Sequence, residues 1–286
     1  MKNHQVLAVG EILWDLLPSG KQLGGAPANF AYHAHALGAG ARLISRVGND
    51  PLGLEILDRL RTLGLPTGGV SVDPAAPTGT VSVEIQPDGQ PRFIIQESVA
   101  WDRLEAGDPV QADAVCFGTL GQRCATARQA IRAAVSAVPA GALRVFDINL
   151  RQQFYSREII ESSLALADAL KLNDTELPVL AGMFDLAGEP RSQLDALAGR
   201  YQLRAVALTR GANGSLLLGG GVWSDHPGLS VKVVDAVGAG DAFTAAWTLG
   251  LLARHPLDKI NQRANEIAAF VCTQPGATPV YPNENL

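Results

Sequence analysis

The stretch Val234-Asp-Ala-Val-Gly-Ala-Gly-Asp-Ala-Phe243 joins a β-branched run, Ser230–Val234, to a segment with helical spacing. In that segment Phe243, Ala246, Trp247, Gly250 and Leu251 recur at i, i+3, i+4, i+7 and i+8. The pattern predicts a strand, a glycine turn and a helix. Gly238-Ala239-Gly240 then occupies the helix N-terminus, where N–H groups lack intrahelical partners and the helix dipole favours negative charge. Glycines let an anion approach the backbone with no Cβ in the way. Asp241 falls in the first helical turn, with its carboxylate facing the same place. A carboxylate beside an anion site suits proton removal from a hydroxyl while N–H groups stabilise a transferring phosphoryl group. Taken alone, the stretch also fits a tight turn followed by an aspartate that favours a helix start. It lacks the Gly-Lys-Ser/Thr of a Walker loop and does not read G-x-G-x-x-G, which disfavours a dinucleotide-dependent oxidoreductase.

Outward from this stretch, short apolar runs alternate with helix-period segments. The runs are Val6–Val9, Leu43–Val47, Ala114–Phe117, Leu143–Ile148, Ala169–Leu172 and Ala205–Leu208, and the helical segments are 27–37, 51–63, 123–137, 157–167 and 191–200. Buried strands alternating with helices predict an α/β fold with a mostly parallel sheet covered on both faces. Residues 11–22 look extended. Thr80–Ile85 and Arg92–Gln96 flank a turn containing Asp88-Gly89, which predicts a hairpin. These two pieces, roughly 11–22 and 78–98, are read as a small β lid on a single domain spanning 1–286. An antiparallel edge of the main sheet is the alternative.

The bulk properties are restrictive. In 286 residues the net charge is -5, hydrophobic residues make up 47% and charged residues 18%, so a packed core is expected and disorder is not. No basic stripe marks a nucleic-acid partner. Phosphate, if bound, is expected to be held by backbone N–H groups and a metal instead of a Lys/Arg cluster. Three cysteines without CxxC spacing indicate neither a disulfide framework nor a zinc site. With no signal-peptide pattern and no long apolar span, a cytoplasmic setting and no membrane association are expected. His33 and His35 are two apart on a helix and so point to different faces. Trp101-Asp102 reads as packing plus a cap, and Met183 and Phe184 as core.

With the Val234–Phe243 stretch read, the chain resembles the ribokinase-like (PfkB) carbohydrate kinases, whose C-terminal motif usually reads D-T-x-G-A-G-D-x-F. Ala236 departs from the usual Thr. The resemblance implies a ribokinase-like, Rossmann-type sandwich with Asp241 as catalytic base and Gly238, Ala239 and Gly240 as anion hole. Gly24-Gly-Ala-Pro-Ala-Asn-Phe-Ala31 resembles the family's sugar-binding motif, closest to fructokinases. Locally it is an ordinary helix entry with Pro27 in the first turn. The resemblance makes Gly24, Gly25 and Asn29 sugar contacts, with Asp15 of Gly10-Glu-Ile-Leu-Trp-Asp15 reaching sugar hydroxyls from the lid. Arg151 of Phe146-Asp-Ile-Asn-Leu-Arg151 is similar to a residue that touches substrate or phosphate. Its segment also fits a helix cap with a surface Arg.

On the nucleotide side, Lys171-Leu-Asn173-Asp174-Thr-Glu176 resembles the N-x-x-E motif that holds Mg²⁺, largely through water, and it also has capping-box spacing. Thr209-Arg-Gly211-Ala-Asn-Gly214 is similar to the T-x-G-x-x-G phosphate loop, or is a simple hairpin. Asn265, expected where an apolar helix opens, resembles the residue near the purine. Asp235 and Gly276 resemble a K⁺-binding pair. The implied activity is ATP- and Mg²⁺-dependent phosphorylation of a sugar, fructose first. Ribose, 2-keto-3-deoxygluconate and nucleosides stay open, as does a catalytically silent sugar or nucleotide sensor. A homodimer through the lid is a further expectation.

Overall fold

Apolar runs of four or five residues, too short for helices and bounded by turns, become strands buried on both faces. In the computed structural model, which describes residues 4–18, 20–85, 91–108 and 110–282, the elements follow in chain order. The first half comprises β1 (Gln5–Val9), β2 (Leu13–Leu17), β3 (Gly20–Gly24), α1 (Ala26–Ala36), β4 (Gly40–Gly48), α2 (Pro51–Thr62), β5 (Val70–Asp73), β6 (Gly79–Ile85), β7 (Pro91–Ile95), β8 (Ala114–Gly118), α3 (Ala125–Ala137) and β9 (Leu143–Asp147). The second half comprises α4 (Arg157–Leu164), β10 (Ala169–Asn173), α5 (Glu176–Phe184), α6 (Pro190–Tyr201), β11 (Ala205–Thr209), β12 (Ser215–Gly219), β13 (Val222–His226), α7 (Ala239–Leu252) and α8 (Leu257–Cys272).

Among the described residues the strands form a nine-stranded sheet, β13-β12-β11-β10-β9-β8-β1-β4-β5, and a four-stranded sheet, β3-β2-β6-β7. From β11 to β5 every pairing is parallel, and β12 and β13 close one edge as antiparallel strands. Strand alternation divides the core in two. Val6, Ala8, Cys116, Val145, Ala169 and Ala207 pack towards α1, α7 and α8, while Leu7, Val9, Phe117, Phe146, Leu170 and Val206 pack towards α3 to α6. The separate small sheet decides against an antiparallel edge of the main one. It pairs β2 with β6 in parallel and β6 with β7 as a hairpin, and the Asp88-Gly89 turn lies outside the described residues.

Other expectations are corrected. Ser230–Val234 is not a strand. Its alternation suits one, but β13 already ends the sheet, and the segment runs irregular with Val233 and Val234 about 60% exposed (61% and 59%). β5 and the β12–β13 hairpin go unpredicted. Asn265 lies within α8, which starts eight residues earlier at Leu257, and not at the opening of a helix. Trp101 is buried and Asp102 accepts the Val99 N–H, as a packing residue and a cap should. Phe184 is core and Met183 packs against it. The cysteines are free, and among the described residues no helix is long and apolar enough to cross a membrane.

Candidate active site

The carboxyl ends of the parallel strands are where open α/β sheets gather ligands, and here β1, β9, β10 and β11 deliver Glu11, Asp147, Asn173 and Thr209 to that end. A cavity of about 580 Å³ opens there, walled on the other side by the small sheet. It collects Asp15, Gly25, Asn29, Arg151, Asn173 and Thr209 with Gly238, Gly240 and Asp241.

Gly238 starts α7 in the left-handed region (φ 79°), and a Cβ there would stand 2.6 Å from the Ala277 carbonyl oxygen, so only glycine fits. No side chain caps this helix end. The Gly240 and Asp241 N–H groups have no hydrogen-bond partner among the described residues, which leaves the N-terminus open to an anion. Asp235 holds the turn from behind by accepting the N–H groups of Val237 and Gly276, both at 3.0 Å.

Asp241 Oδ2 accepts a 2.8 Å hydrogen bond from Asn29 Nδ2, so α1 and α7 meet through this pair. Burial, and then the Asp147 carboxylate, push Asp241 up to about 6 against the pull of Asn29, Lys171 and Arg151. Gly25 caps α1 at φ 105°, where a Cβ would strike the Glu11 carbonyl at 2.5 Å. Gly24 serves differently from the expectation: it stays out of the cavity wall and makes room for the Asp15 carboxylate across the β2–β3 pair. Burial raises Asp15 to about 6, with Arg151 opposing. Arg151 is exposed at the cavity, and Gln152 beside it donates to the Phe93 carbonyl of β7 at 2.6 Å.

The remaining predicted residues are dispersed. Glu176 is buried away from the cavity wall, with one oxygen accepting the Leu150 N–H and the other the Asn173 N–H, both at 2.8 Å. Asn173 Oδ1 in turn accepts the N–H groups of Thr175 and Glu176, so the capping reading of this motif is realised. Gly214 fits tightly against the backbone of His226 and Gly228, while Gly211 is open to solvent. Asn265 does not reach the cavity. Its amide donates to Ser215 Oγ and to Asn261 in a buried network joining α8 to β12.

The family model for the pfkB family carbohydrate kinases matches residues 19–284. The chain belongs to the pfkB family of carbohydrate kinases. A fructokinase of Klebsiella pneumoniae is 30% identical over 98% of this chain and 97% of its own. An uncharacterised sugar kinase of Pyrococcus horikoshii, solved with ATP, superposes with a TM-score of 0.77 at 28% identity, covering 96% of this chain and 94% of the other. A fructokinase of Vibrio cholerae, solved with fructose, ADP and calcium, gives a TM-score of 0.83 at 25% identity, covering 99% and 97%. This pfkB chain is an ATP-dependent sugar kinase.

Three groups at this pfkB site escaped the sequence reading. Glu11 is buried on the cavity wall, and its Oε2 has no partner among the described residues. Burial raises it to about 7 against Arg151, with Asp241 adding to the rise. Lys171, also at the cavity, pairs with Asp147 at 3.1 Å, a buried cation that the sequence reading did not single out. A carboxylate just past an apolar strand, and a lysine inside one, were the available signals.

Proposed function

We propose that the chain is a fructokinase that moves the γ-phosphoryl group of ATP to a terminal hydroxyl of fructose. The observation that carries this reading is the Asn29–Asp241 hydrogen bond, made inside one cavity with the open N-terminus of α7. A carboxyl near 6 is ionised at neutral pH yet basic enough to receive a hydroxyl proton as the oxygen attacks. The unpaired N–H groups of Gly240 and Asp241 face the charge that develops on the phosphoryl oxygens. Asp15, Asn29 and Arg151 surround the sugar, and the small sheet acts as a lid that excludes competing water.

Charge favours a neutral sugar over a keto acid. Glu11, Asp15 and Asp241 bring three carboxyls to the cavity, against Arg151 and a Lys171 already paired with Asp147. A carboxylate substrate would meet this surplus of like charge. The fructokinase relatives point the same way.

A divalent metal would arrive with the nucleotide phosphates, which together with water supply most of its ligands. Among the described residues no cluster of three or more acidic, His or Cys side chains could hold it unaided. Asn173 at the cavity fits the metal side, whereas Glu176 is buried behind it with both oxygens accepting backbone N–H groups. A K⁺ at Asp235 and Gly276 has weaker support, because both Asp235 oxygens already accept backbone N–H groups. Dimerisation through the lid draws support from Leu16 and Phe93, 37% and 50% exposed.

The test is kcat/KM for fructose, ribose, 2-keto-3-deoxygluconate and adenosine under identical ATP-Mg²⁺ conditions. Fructose should lead, and Asp15→Ala should raise the fructose KM while sparing that of ATP. A lead of more than about tenfold for another acceptor would replace fructose. Binding of sugar without turnover of any acceptor would favour a silent sensor.

A further inference from the structure

Lys171 sits in the middle of β10, a strand otherwise apolar up to its last residue, and is only 5% exposed. Alternation puts it on the Ala169 face of the sheet, the face that packs against α7. Its ammonium pairs with Asp147 Oδ1 at 3.1 Å. Asp147 Oδ2 in turn lies 2.8 Å from the Thr244 hydroxyl, which is also 2.9 Å from the Gly240 carbonyl oxygen. Asp147 is the only hydrogen-bond partner of the Lys171 ammonium among the described residues, so its other two protons remain unused. The ammonium stays charged, because the carboxylates of Asp147, Glu176 and Asp241 outweigh the burial that would depress it.

The position of this charge is informative. Lys171 lines the cavity, and its Nζ lies 3.2 Å from the point where a Cβ on Gly240 would stand. The missing side chain of Gly240 is therefore a gap between the buried ammonium and the open N-terminus of α7. Buried ion pairs contribute little net stability, and apolar residues of similar volume often replace them without loss. Packing alone thus gives no reason for a lysine under the turn.

We propose that Lys171 is a further catalytic residue, its ammonium reaching the transferring phosphoryl group through the gap left by Gly240. The proposal rests on the reading of Asp241 and the α7 turn as the site of transfer. In that step the acceptor oxygen forms a bond to the γ-phosphorus and its proton passes to Asp241. The bond from that phosphorus to the bridging oxygen breaks, and its electron pair leaves with ADP. Lys171 keeps its protons throughout and neutralises charge on the phosphoryl oxygens, with Asp147 and Thr244 as the positioning residues that aim it.

The experiment pairs Lys171→Met with the double variant Lys171→Met/Asp147→Asn, which removes both buried charges and so avoids an unpaired carboxylate. Three quantities are measured: steady-state kinetics with fructose, equilibrium binding of ADP, and equilibrium binding of ADP with fluoroaluminate in the presence of fructose. In the double variant kcat should fall about 10²-fold, as for loss of one donor to developing charge. The fructose KM and the ADP affinity should stay within about threefold. Affinity for ADP-fluoroaluminate should weaken by about the same 10²-fold, a readout that a merely structural role would not move selectively. The proposal is overturned if kcat stays within about threefold of wild type, or if ADP and ADP-fluoroaluminate binding weaken equally. Asp241→Asn measured alongside separates the two failures. If it abolishes turnover while the double variant does not, the transfer site stands and Lys171 is removed from it. If it too turns over normally, the site reading itself fails.

Discussion

Asp50 and Asp241 both stand at the beginning of a helix. Asp50 is the N-cap of α2: its carboxylate accepts the Gly53 N–H at 2.8 Å and reaches across to the Thr78 N–H and hydroxyl, both at 2.7 Å. Burial pushes Asp50 up, yet these hydrogen bonds outweigh it and hold the carboxyl below its usual range. At α7 the cap is a glycine, the Gly240 and Asp241 N–H groups have no partner among the described residues, and the Asp241 carboxylate turns away towards Asn29 and is raised. One helix end is closed by its own aspartate. The other is left open, with its aspartate bonded to Asn29 instead of to the helix end. Satisfied buried carboxylates hold a fold together, whereas orphaned donors and raised carboxyls gathered in one cavity mark the place where a ligand completes the hydrogen bonding.

The contrast is broken most directly by exchanging the two aspartates for neutral residues. Asp241→Asn should lower kcat by roughly 10²–10⁴, the range for loss of a general base, with little change in ADP affinity. Its melting temperature should hold or rise, since an amide oxygen still accepts from Asn29 and a buried charge is gone. Turnover within about threefold of wild type would remove Asp241 as base. Asp50→Ala should do the reverse. Losing the cap and stranding the Thr78 donors should cost about 2 kcal/mol, or roughly 4–8 °C in Tm. Its kcat should remain near wild type. If Asp50→Ala impaired catalysis as strongly as Asp241→Asn, the division into a closed and an open helix end would have no functional content.

How far this contrast could be read in the sequence depends on range. Asp50-Pro51 and Gly238-Ala239-Gly240-Asp241 are local signals, because the cap, the proline and the glycines all act within one helical turn. The parallel strands of the main sheet other than β5 were legible for a similar reason, each carrying a short apolar run such as Ala205–Leu208. Ser230–Val234 misled because alternation reports a strand's suitability and not whether a sheet edge is free to receive it. Lys171 and Asp147 lie in two strands and Glu11 follows a third, and they acquire their roles only where these strands converge under α7 and α1, which no local pattern encodes. Asn265 and Glu176 show the converse. Each lies in a segment that matches a family motif, yet here its side chain bonds to the protein itself.

The smallest effect, and the sharpest on electrostatics, concerns the pH dependence of stability in the ligand-free protein. Glu11, raised to about 7, and Asp15 and Asp241, each raised to about 6, bind more protons folded than unfolded. Their stabilising contribution is complete below the unfolded values near 4. It is lost as pH rises through 6 to 7, so these groups make stability fall with rising pH across that window. Asp50 and Asp73 are lowered, so their contribution is present above about 4 and is lost only in stronger acid. His33 acts against the cavity carboxyls: burial holds it near 4, so stability is lost as pH falls from about 6.5. Wild type alone therefore shows a mixed slope. The difference between wild type and Asp241→Asn cancels His33, Glu11 and Asp15 to first order and leaves the single carboxyl. Relative to the variant, wild type should gain about 1 kcal/mol between pH 7.5 and 5.5, roughly 2–4 °C in Tm. Parallel melting curves for the two proteins across this range would mean that Asp241 titrates as an ordinary aspartate. The open end of α7 would then tolerate a carboxylate as readily as α2 does.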